Sequence, residues 1–267
     1  IDRPLTVIRG GGDLGTGVAI RLHRAGWRIL VTELPQPLAI RRAVAFASAM
    51  YAGSIEVEGA VAHKIDHLDQ AGQVWANNHI PVIPDPDRLI SVRSQPMAIV
   101  DAIMSKMNTG TRLTEAPIVV ALGPGFTVGI DCHAVVETNR GHNLGRVYYR
   151  GAAEPDTGTP GKIGGEDNKR VLRAPTDGLF RAEKAIGDEV NVGDIICRVG
   201  THPITSPLSG VVRGVLFDSI LITAGTKVAD IDPRGEVSYC YTVSDKAWSI
   251  GGGVLEAVLY LYNKNTA

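Results

Sequence analysis

The chain has 267 residues, 44% of them hydrophobic, and a formal net charge of −1, a length that suggests two domains at roughly 150 residues each. Near-neutral charge without a basic run or an aromatic stripe argues against nucleic acid, and no apolar segment reaches the about 18 residues of a membrane span. Three scattered cysteines, Cys132, Cys197 and Cys240, fit a reducing cytoplasm better than a disulfide framework. The first residue is Ile1, not methionine, and no signal-peptide pattern follows, so a trimmed start in a cytoplasmic protein is expected.

The first element is an apolar run, Leu5, Val7 and Ile8, and it enters Gly10-Gly11-Gly12-Asp13-Leu14-Gly15. Gly10, Gly12 and Gly15 keep the G-x-G-x-x-G spacing. In that pattern one glycine makes the strand-to-helix turn, one lets backbone approach a pyrophosphate, and one packs helix on sheet. A helical pattern follows (Val18, Ala19, Leu22, Ala25), closed by Gly26. A second strand is expected at Trp27–Val31, and Glu33 stands 21 residues beyond Gly12, where a Rossmann fold places the carboxylate that accepts a ribose hydroxyl. Asp13 inside the loop counts against a bare pyrophosphate contact unless its carboxylate points away. The alternative is a tight βα turn that binds nothing.

Leu38 to about Tyr51 reads as a helix carrying Arg41 and Arg42, and Ile55–Ile65 as a hairpin around Gly59. A helix is expected at His67–Asn78, with strands at Ile80–Ile83, Met97–Ile103 and Ile118–Leu122, the last stopped by Gly123-Pro124-Gly125. Strands alternating with helices predict a parallel α/β sheet, whose ligands bind at the carboxyl edge.

From Val171 the texture changes to short strands and turns, and a repeat appears at an offset of 32 residues. Ala174-Pro175 to Gly178 matches Ser206-Pro207 to Gly210; Phe180, Val190, Gly193, Ile196 and Val199 match Val212, Ile222, Gly225, Val228 and Ile231. Two such halves are expected to pack as a small quasi-twofold sandwich, each covering the other's apolar face. The repeat resembles the barrel-sandwich hybrid of biotinyl and lipoyl carriers. The turn that presents the modified lysine there is Gly200-Thr201-His202-Pro203 here. Without a lysine, no covalent biotin or lipoate is expected, and His202 reads as a surface residue. The chain ends with Gly251-Gly252-Gly253 ahead of a helical pattern from Val254 to Tyr262, expected to dock back on the α/β domain.

The densest polar stretch follows Gly123 and Gly125: Asp131, Cys132, His133, Glu137, Thr138, Arg140, His142 and Arg146. Its spacing matches no structural zinc pattern, so no metal is assigned, although Cys132, His133 and His142 leave the question open. Adjacent strand residues point to opposite faces, so His133 is not fixed as a base for Cys132. Anion recognition fits better: Arg140, His142, Arg146 and the amides after Gly123 offer donors, with Arg41 and Arg42 joining if their helix returns to the same edge. The competing reading is a solvated loop held by its own ion pairs.

Arg9–Gly17, Leu38–Arg42, Ala121–Phe126, Asp131–His142, Leu144–Arg146 and Thr157–Gly161 resemble, in order along nearly the whole chain, the YqeB-type family. Its members are described as accessory factors of selenium-dependent molybdenum hydroxylase systems. A more distant resemblance, confined to the Rossmann-like part, is to the factors that deliver finished molybdenum cofactor to xanthine dehydrogenases. These resemblances imply a maturation factor that binds a nucleotide-bearing ligand, such as the dinucleotide form of molybdopterin, and docks a client hydroxylase. The expected fold is a Rossmann-like parallel-sheet domain over 1–165, a barrel-sandwich hybrid over 166–240, and a C-terminal helix over 241–267. The residues assigned to the ligand are Gly10, Gly11, Gly12, Asp13, Leu14, Gly15, Glu33, Gly123, Gly125, Arg140 and His142; no catalytic residue is assigned. Two readings compete: an NAD(P)-dependent oxidoreductase acting on the cofactor or a selenium species, for which no convincing hydride-transfer acid stands out, and a non-catalytic interaction module. Whether the chain forms a homo-oligomer stays open.

Overall fold

A computed structural model describes residues 3–158, 161, 163–166 and 168–266. Ile1, and Thr159 and Pro160 of the Thr157–Gly161 motif, lie outside the described residues. The chain forms two compact units, one of residues 1–37, 45–156 and 243–267, the other of residues 38–44 and 157–242.

In the first unit nine strands make one sheet: β1 (Leu5–Arg9), β2 (Arg28–Glu33), β3 (Ser54–Val57), β4 (Ala60–Lys64), β5 (Ile80–Pro84), β6 (Ala98–Asp101), β7 (Ile118–Leu122), β8 (Ala134–Val136) and β9 (Val147–Tyr148). Their order is β3-β4-β5-β2-β1-β6-β7-β8-β9. Strands from β4 to β8 in that order run parallel. Residues 118–122 are buried throughout, as a strand covered on both faces requires. The helices are α1 (Asp13–Arg24), α2 (Ala49–Ala52), α3 (Ala71–Ala76), α4 (Leu89–Arg93) and α5 (Asp245–Thr266).

The sheet is mixed, which corrects the expected Rossmann-like parallel sheet. Glu58 and Gly59, with φ of +48° and +81°, close a two-residue turn, and such a turn joins only antiparallel strands. It places β3 antiparallel on β4. At the opposite edge the chain doubles back and β9 pairs antiparallel with β8.

Two further expectations change. The helix expected over residues 38–51 is instead two 3-10 turns, Arg42–Val44 and Phe46–Ser48, followed by the single turn of α2. Its first part is drawn into the second unit, where Val215 N–H donates to the Ile40 carbonyl at 2.9 Å. The Gly251–Gly253 run lies inside α5 and does not precede a helix. Glycine in a helix costs about 1 kcal/mol relative to alanine, but close approach requires it at Gly251 and Gly253, whereas a Cβ on Gly252 meets no heavy atom within 4 Å. A Cβ on Gly251 would stand 2.8 Å from the Gly17 carbonyl oxygen of α1, and one on Gly253 would overlap the Gly145 carbonyl.

The second unit contains β10 (Val171–Arg173), β11 (Gly178–Ala182), β12 (Glu189–Val190), β13 (Ile195–Val199), β14 (His202–Thr205), β15 (Gly210–Val215), β16 (Leu221–Ile222) and β17 (Lys227–Asp232). They form two four-stranded sheets, β10-β17-β15-β12 and β14-β13-β11-β16, with antiparallel pairing throughout. The 32-residue offset carries β10 onto β14, β11 onto β15, β12 onto β16 and β13 onto β17, so it converts one sheet order into the other. The repeated apolar positions are core positions: Phe180 and Val212, Ile196 and Val228, Val199 and Ile231 are all fully buried.

The arrangement nevertheless differs from the expected sandwich. Each sheet takes two strands from each half, so the halves interleave and neither simply covers the other. Strands as short as β12 and β16 cannot stand as a layer of their own; exchange gives each a ladder partner from the other half. The expected barrel-sandwich hybrid is therefore replaced by a pair of four-stranded antiparallel sheets.

Candidate functional site

The glycine loop leaves β1 at the carboxyl edge of the nine-stranded sheet. Gly10 N–H donates to the Thr32 carbonyl at 2.8 Å, and its φ of +93° is one that L side chains rarely adopt. A Cβ there would also press on the Ala102 carbonyl at 2.9 Å. Gly11 N–H donates to Glu33 Oε2 at 2.8 Å, while Leu34 N–H donates to Glu33 Oε1 at 2.7 Å. A Cβ on Gly11 would lie 2.9 Å from the Ala47 nitrogen, and one on Gly15 would overlap the Gly10 carbonyl oxygen. The protein's own packing demands these three glycines.

Gly12 is different. Its φ of −62° and ψ of 179° suit any residue, and a Cβ built on it meets no heavy atom within 4 Å. It is the N-cap of α1, and no side chain caps that helix. The N–H groups of Gly12, Leu14 and Gly15 therefore begin a helix whose geometry gives them no carbonyl four residues back, and the helix dipole adds partial positive charge. Asp13 and Leu14, in the first turn, are half-buried.

Glu33 stays beside this turn as a largely buried acid. Burial raises its pKa, and the Leu34 and Gly11 N–H groups pull against that rise without cancelling it. Each oxygen receives one backbone N–H and retains capacity for another donor.

Glu33 is one of several acids with the same task, the others unmarked by any motif. Asp85, after β5, accepts Ile90 N–H at 3.0 Å and Ser91 N–H at 2.9 Å. Asp101, ending β6, accepts Ile103 N–H at 3.1 Å and the Thr111 hydroxyl at 2.6 Å. Glu137, after β8, accepts the N–H groups of Thr138, Asn139 and Glu154 at 2.8, 2.7 and 2.8 Å. An acid directly after an apolar strand was the available signal. Arg9, fully buried at the end of β1, ties these loops together. It donates to Ser91 Oγ at 2.8 Å, Thr111 Oγ1 at 2.8 Å and Glu115 Oε2 at 2.8 Å.

The segment after β6 was also unmarked in the sequence. Ala102 abuts Gly10, and Met107 Cα would lie 2.6 Å from a Cβ on Gly125, so this one segment borders both glycine loops. Met104 and Lys106 adopt φ of +61° and +65°, a conformation that costs non-glycine residues about 1–3 kcal/mol each and concentrates at functional sites. Lys106 Nζ pairs with Asp156 at 2.8 Å.

The remaining assigned residues divide. Gly123 and Gly125 follow β7, two strands from β1, which places them about 10 Å along the same edge by ordinary strand spacing. Both are explained by packing, since a Cβ on Gly123 would overlap Thr138 Oγ1. Arg140, expected to bind an anion, makes a two-pronged pair with Asp245 at the start of α5, at 2.7 Å on both sides. His142 and Arg146 are exposed. Arg41 and Arg42 belong to the other unit, where they donate to the carbonyls of Tyr239 and Val215 at 2.9 and 2.7 Å.

Cys132 lies in a buried cluster with Val119, Ala121, Phe126 and Val135. Desolvation, with the Asp131 charge adding to it, pushes the thiol pKa up to about 12. His133 Nδ1 accepts Val119 N–H at 2.9 Å, and burial lowers its pKa. A protonated thiol beside an imidazole occupied by backbone is no nucleophile–base pair. Among the described residues no group of three or more His, Cys, Asp or Glu side chains is placed to hold a metal ion. All three cysteines are buried, so the native protein is expected to show no reaction with a colorimetric disulfide reagent at pH 8 and three thiols after denaturation. Fast native labelling at Cys132 would contradict this placement.

No protein-family profile matches the chain. Over 260 residues, 97% of its length, it is 48% identical to the uncharacterized protein YqeB of Escherichia coli (strain K12). The chain spans about half (48%) of that relative. Among solved structures, an aspartoacylase family protein from Mesorhizobium loti MAFF303099 is similar with a TM-score of 0.29 at 10% identity, over 86% of this chain and 85% of that one. The product-bound ectoine utilization protein EutE (DoeB) from Ruegeria pomeroyi follows at 0.26 and 13%, over 86% and 85%. Likenesses this weak carry no argument about fold or activity. No helix among the described residues is long and apolar enough to cross a membrane.

Proposed function

We propose that this homologue of YqeB holds the pyrophosphate of a nucleotide-bearing ligand over Gly10–Gly15, and that it serves as a maturation factor for a selenium-dependent molybdenum hydroxylase. The observation that carries the first part is Gly12. Gly10, Gly11 and Gly15 are glycine because protein atoms crowd them, but among the described residues no heavy atom comes within 4 Å of a Cβ built on Gly12. A glycine at a position whose backbone and packing do not require one suits an approach of ligand phosphate to backbone. The uncapped N-terminus of α1 supplies N–H donors and partial positive charge at that place.

In this reading the N–H groups of Gly12, Leu14 and Gly15 bind phosphate oxygens. Glu33, whose oxygens each retain capacity for a further donor, accepts a ribose hydroxyl. The loops around them are fixed by Asp85, Asp101 and Arg9, so little ordering remains to be done on binding. The second part rests on the sequence resemblance to accessory factors of molybdenum hydroxylase systems. It makes the dinucleotide form of molybdopterin the cargo and the hydroxylase the partner. Arg140, engaged by Asp245, is left out of the ligand site, and the chain's part is to hold its cargo.

An NAD(P)-dependent oxidoreductase is the second reading, favoured by the same loop together with Glu33. Calorimetric titration separates the two. The molybdopterin cytosine dinucleotide is expected to bind, with NAD and NADP at least tenfold weaker. Tight binding of NAD or NADP with no binding of the molybdopterin dinucleotide would overturn the cargo assignment.

A further inference from the structure

Arg213 lies on β15, where the register against β17 slips between Val212 and Gly214. Such irregularities re-aim side chains and are frequent beside functional sites. The side chain is only 6% exposed, yet among the described residues its guanidinium donates no hydrogen bond. Its nearest carboxylate oxygen, Asp232 Oδ2, stands 3.7 Å from Nε, beyond hydrogen-bond range, and Nε is buried without an acceptor.

The acids around it are engaged elsewhere. Asp232 receives the Arg234 backbone N–H at 3.1 Å, its Nε at 2.9 Å and its Nη2 at 2.6 Å. Asp230 pairs with Arg170. The charged groups that face Arg213 are Arg41, Asp230, Asp232 and Arg234. Arg41 is brought there because Gly214 has no side chain: a Cβ would press on the Ile40 carbonyl at 2.9 Å. A buried Nε donor without an acceptor is costly, and the carboxylates of Asp230 and Asp232, which oppose the charges of Arg41 and Arg234 around it, are each engaged by another arginine. Burial, followed by Arg41, pushes the Arg213 pKa down, in keeping with that strain.

We propose that the second unit binds a small oxyanion of the phosphate class, inorganic phosphate or the phosphate end of an ester, at Arg213, with Arg41 and Arg234 contributing positive charge around it. A guanidinium fork matches two oxygens of such an anion. An anion suits a guanidinium to which Arg41 and Arg234 both add positive charge, beside aspartates already paired with other arginines. The site belongs to the second unit, and its assignment stands independently of the glycine loop.

The test uses the whole chain, titrated with inorganic phosphate, phenyl phosphate or acetate in chloride buffer at constant ionic strength. The Nε–Hε resonance of Arg213, assigned by its loss in Arg213→Lys, is expected to shift saturably with phosphate and not with acetate. The melting temperature of the wild type should rise with phosphate, and Arg213→Met should lose that response while being at least as stable in chloride alone. Phenyl phosphate acting as strongly as inorganic phosphate would assign the site to an ester; no response to it would restrict the site to the free ion. An Arg213 resonance that ignores phosphate, or an Arg213→Met protein that keeps the full thermal response, would overturn the proposal. The wild-type resonance decides the matter even if the methionine variant does not fold.

Discussion

Gly15→Ala is expected to destabilise the first unit by about 3 kcal/mol or more, while Gly12→Asp leaves it folded and lowers affinity for a pyrophosphate ligand at least tenfold, about 1.4 kcal/mol. At Gly15 the added methyl would overlap the Gly10 carbonyl oxygen, backbone that cannot move aside without opening the β1–α1 turn. At Gly12 the new side chain enters space that holds no protein atom and takes the N-cap position of α1. Aspartate is among the best N-caps, worth a few tenths of a kcal/mol over glycine, so the melting temperature should hold or rise slightly. The same carboxylate fills the place assigned to phosphate and repels it. Urea unfolding and calorimetric titration of both variants check the pair. If Gly12→Asp unfolds the protein, or binds ligand as the wild type does, the open space beside Gly12 has another explanation.

Glu115→Ala should cost about 3 kcal/mol at neutral pH, because it leaves Arg9 charged inside the protein with only hydroxyl acceptors. Arg9 is 1% exposed, and its Glu115 partner lies at 2.8 Å. Burial alone would raise the Glu115 pKa. The Arg9 hydrogen bond, the Arg112 N–H and the charges of Arg9 and Arg88 outweigh it, and the carboxyl ends below its ordinary value of 4.5. A depressed folded-state pKa means that the unfolded chain takes up the proton first as pH falls. The contribution of Glu115 is thus complete above about pH 4.5 and is lost as pH drops through the folded value. Glu33 and Asp101, raised by burial, act with the opposite sign: each lowers stability as pH rises through its titration. The stability gap between wild type and Glu115→Gln should therefore narrow below pH 4, whereas the contributions of Glu33 and Asp101 are common to both. A gap that stays constant from pH 7 to pH 3 would show that the carboxylate charge is not what holds Arg9.

What could be read from the sequence was local. β1, the glycine loop, α1, β2 and Glu33 follow one another within 33 residues, and apolar periodicity plus glycine spacing suffice to place them. The 32-residue repeat was legible because packing fixed the same apolar positions twice. Which glycines serve the chain and which a ligand was not legible, since that depends on Ala47 and Ala102 arriving from elsewhere in the fold. Arg140 looked like an anion donor because its partner, Asp245, is 105 residues away. The mixed edges of the large sheet and the interleaved small sheets are decided by which strand finds which partner, and periodicity within a strand does not encode that. Gly251 and Gly253 of α5 resembled a loop because their cause is the backbone of Gly17 and Gly145.

The central claim, that the N-terminus of α1 holds phosphate oxygens, is tested most directly by backbone amide resonances during a titration with pyrophosphate. Saturable downfield shifts are expected at Gly12, Leu14 and Gly15, with small changes at Gly123 and Gly125 and no such response in Gly12→Asp. Unmoved Gly12 and Gly15 amides at saturating pyrophosphate, with the protein folded, would contradict it.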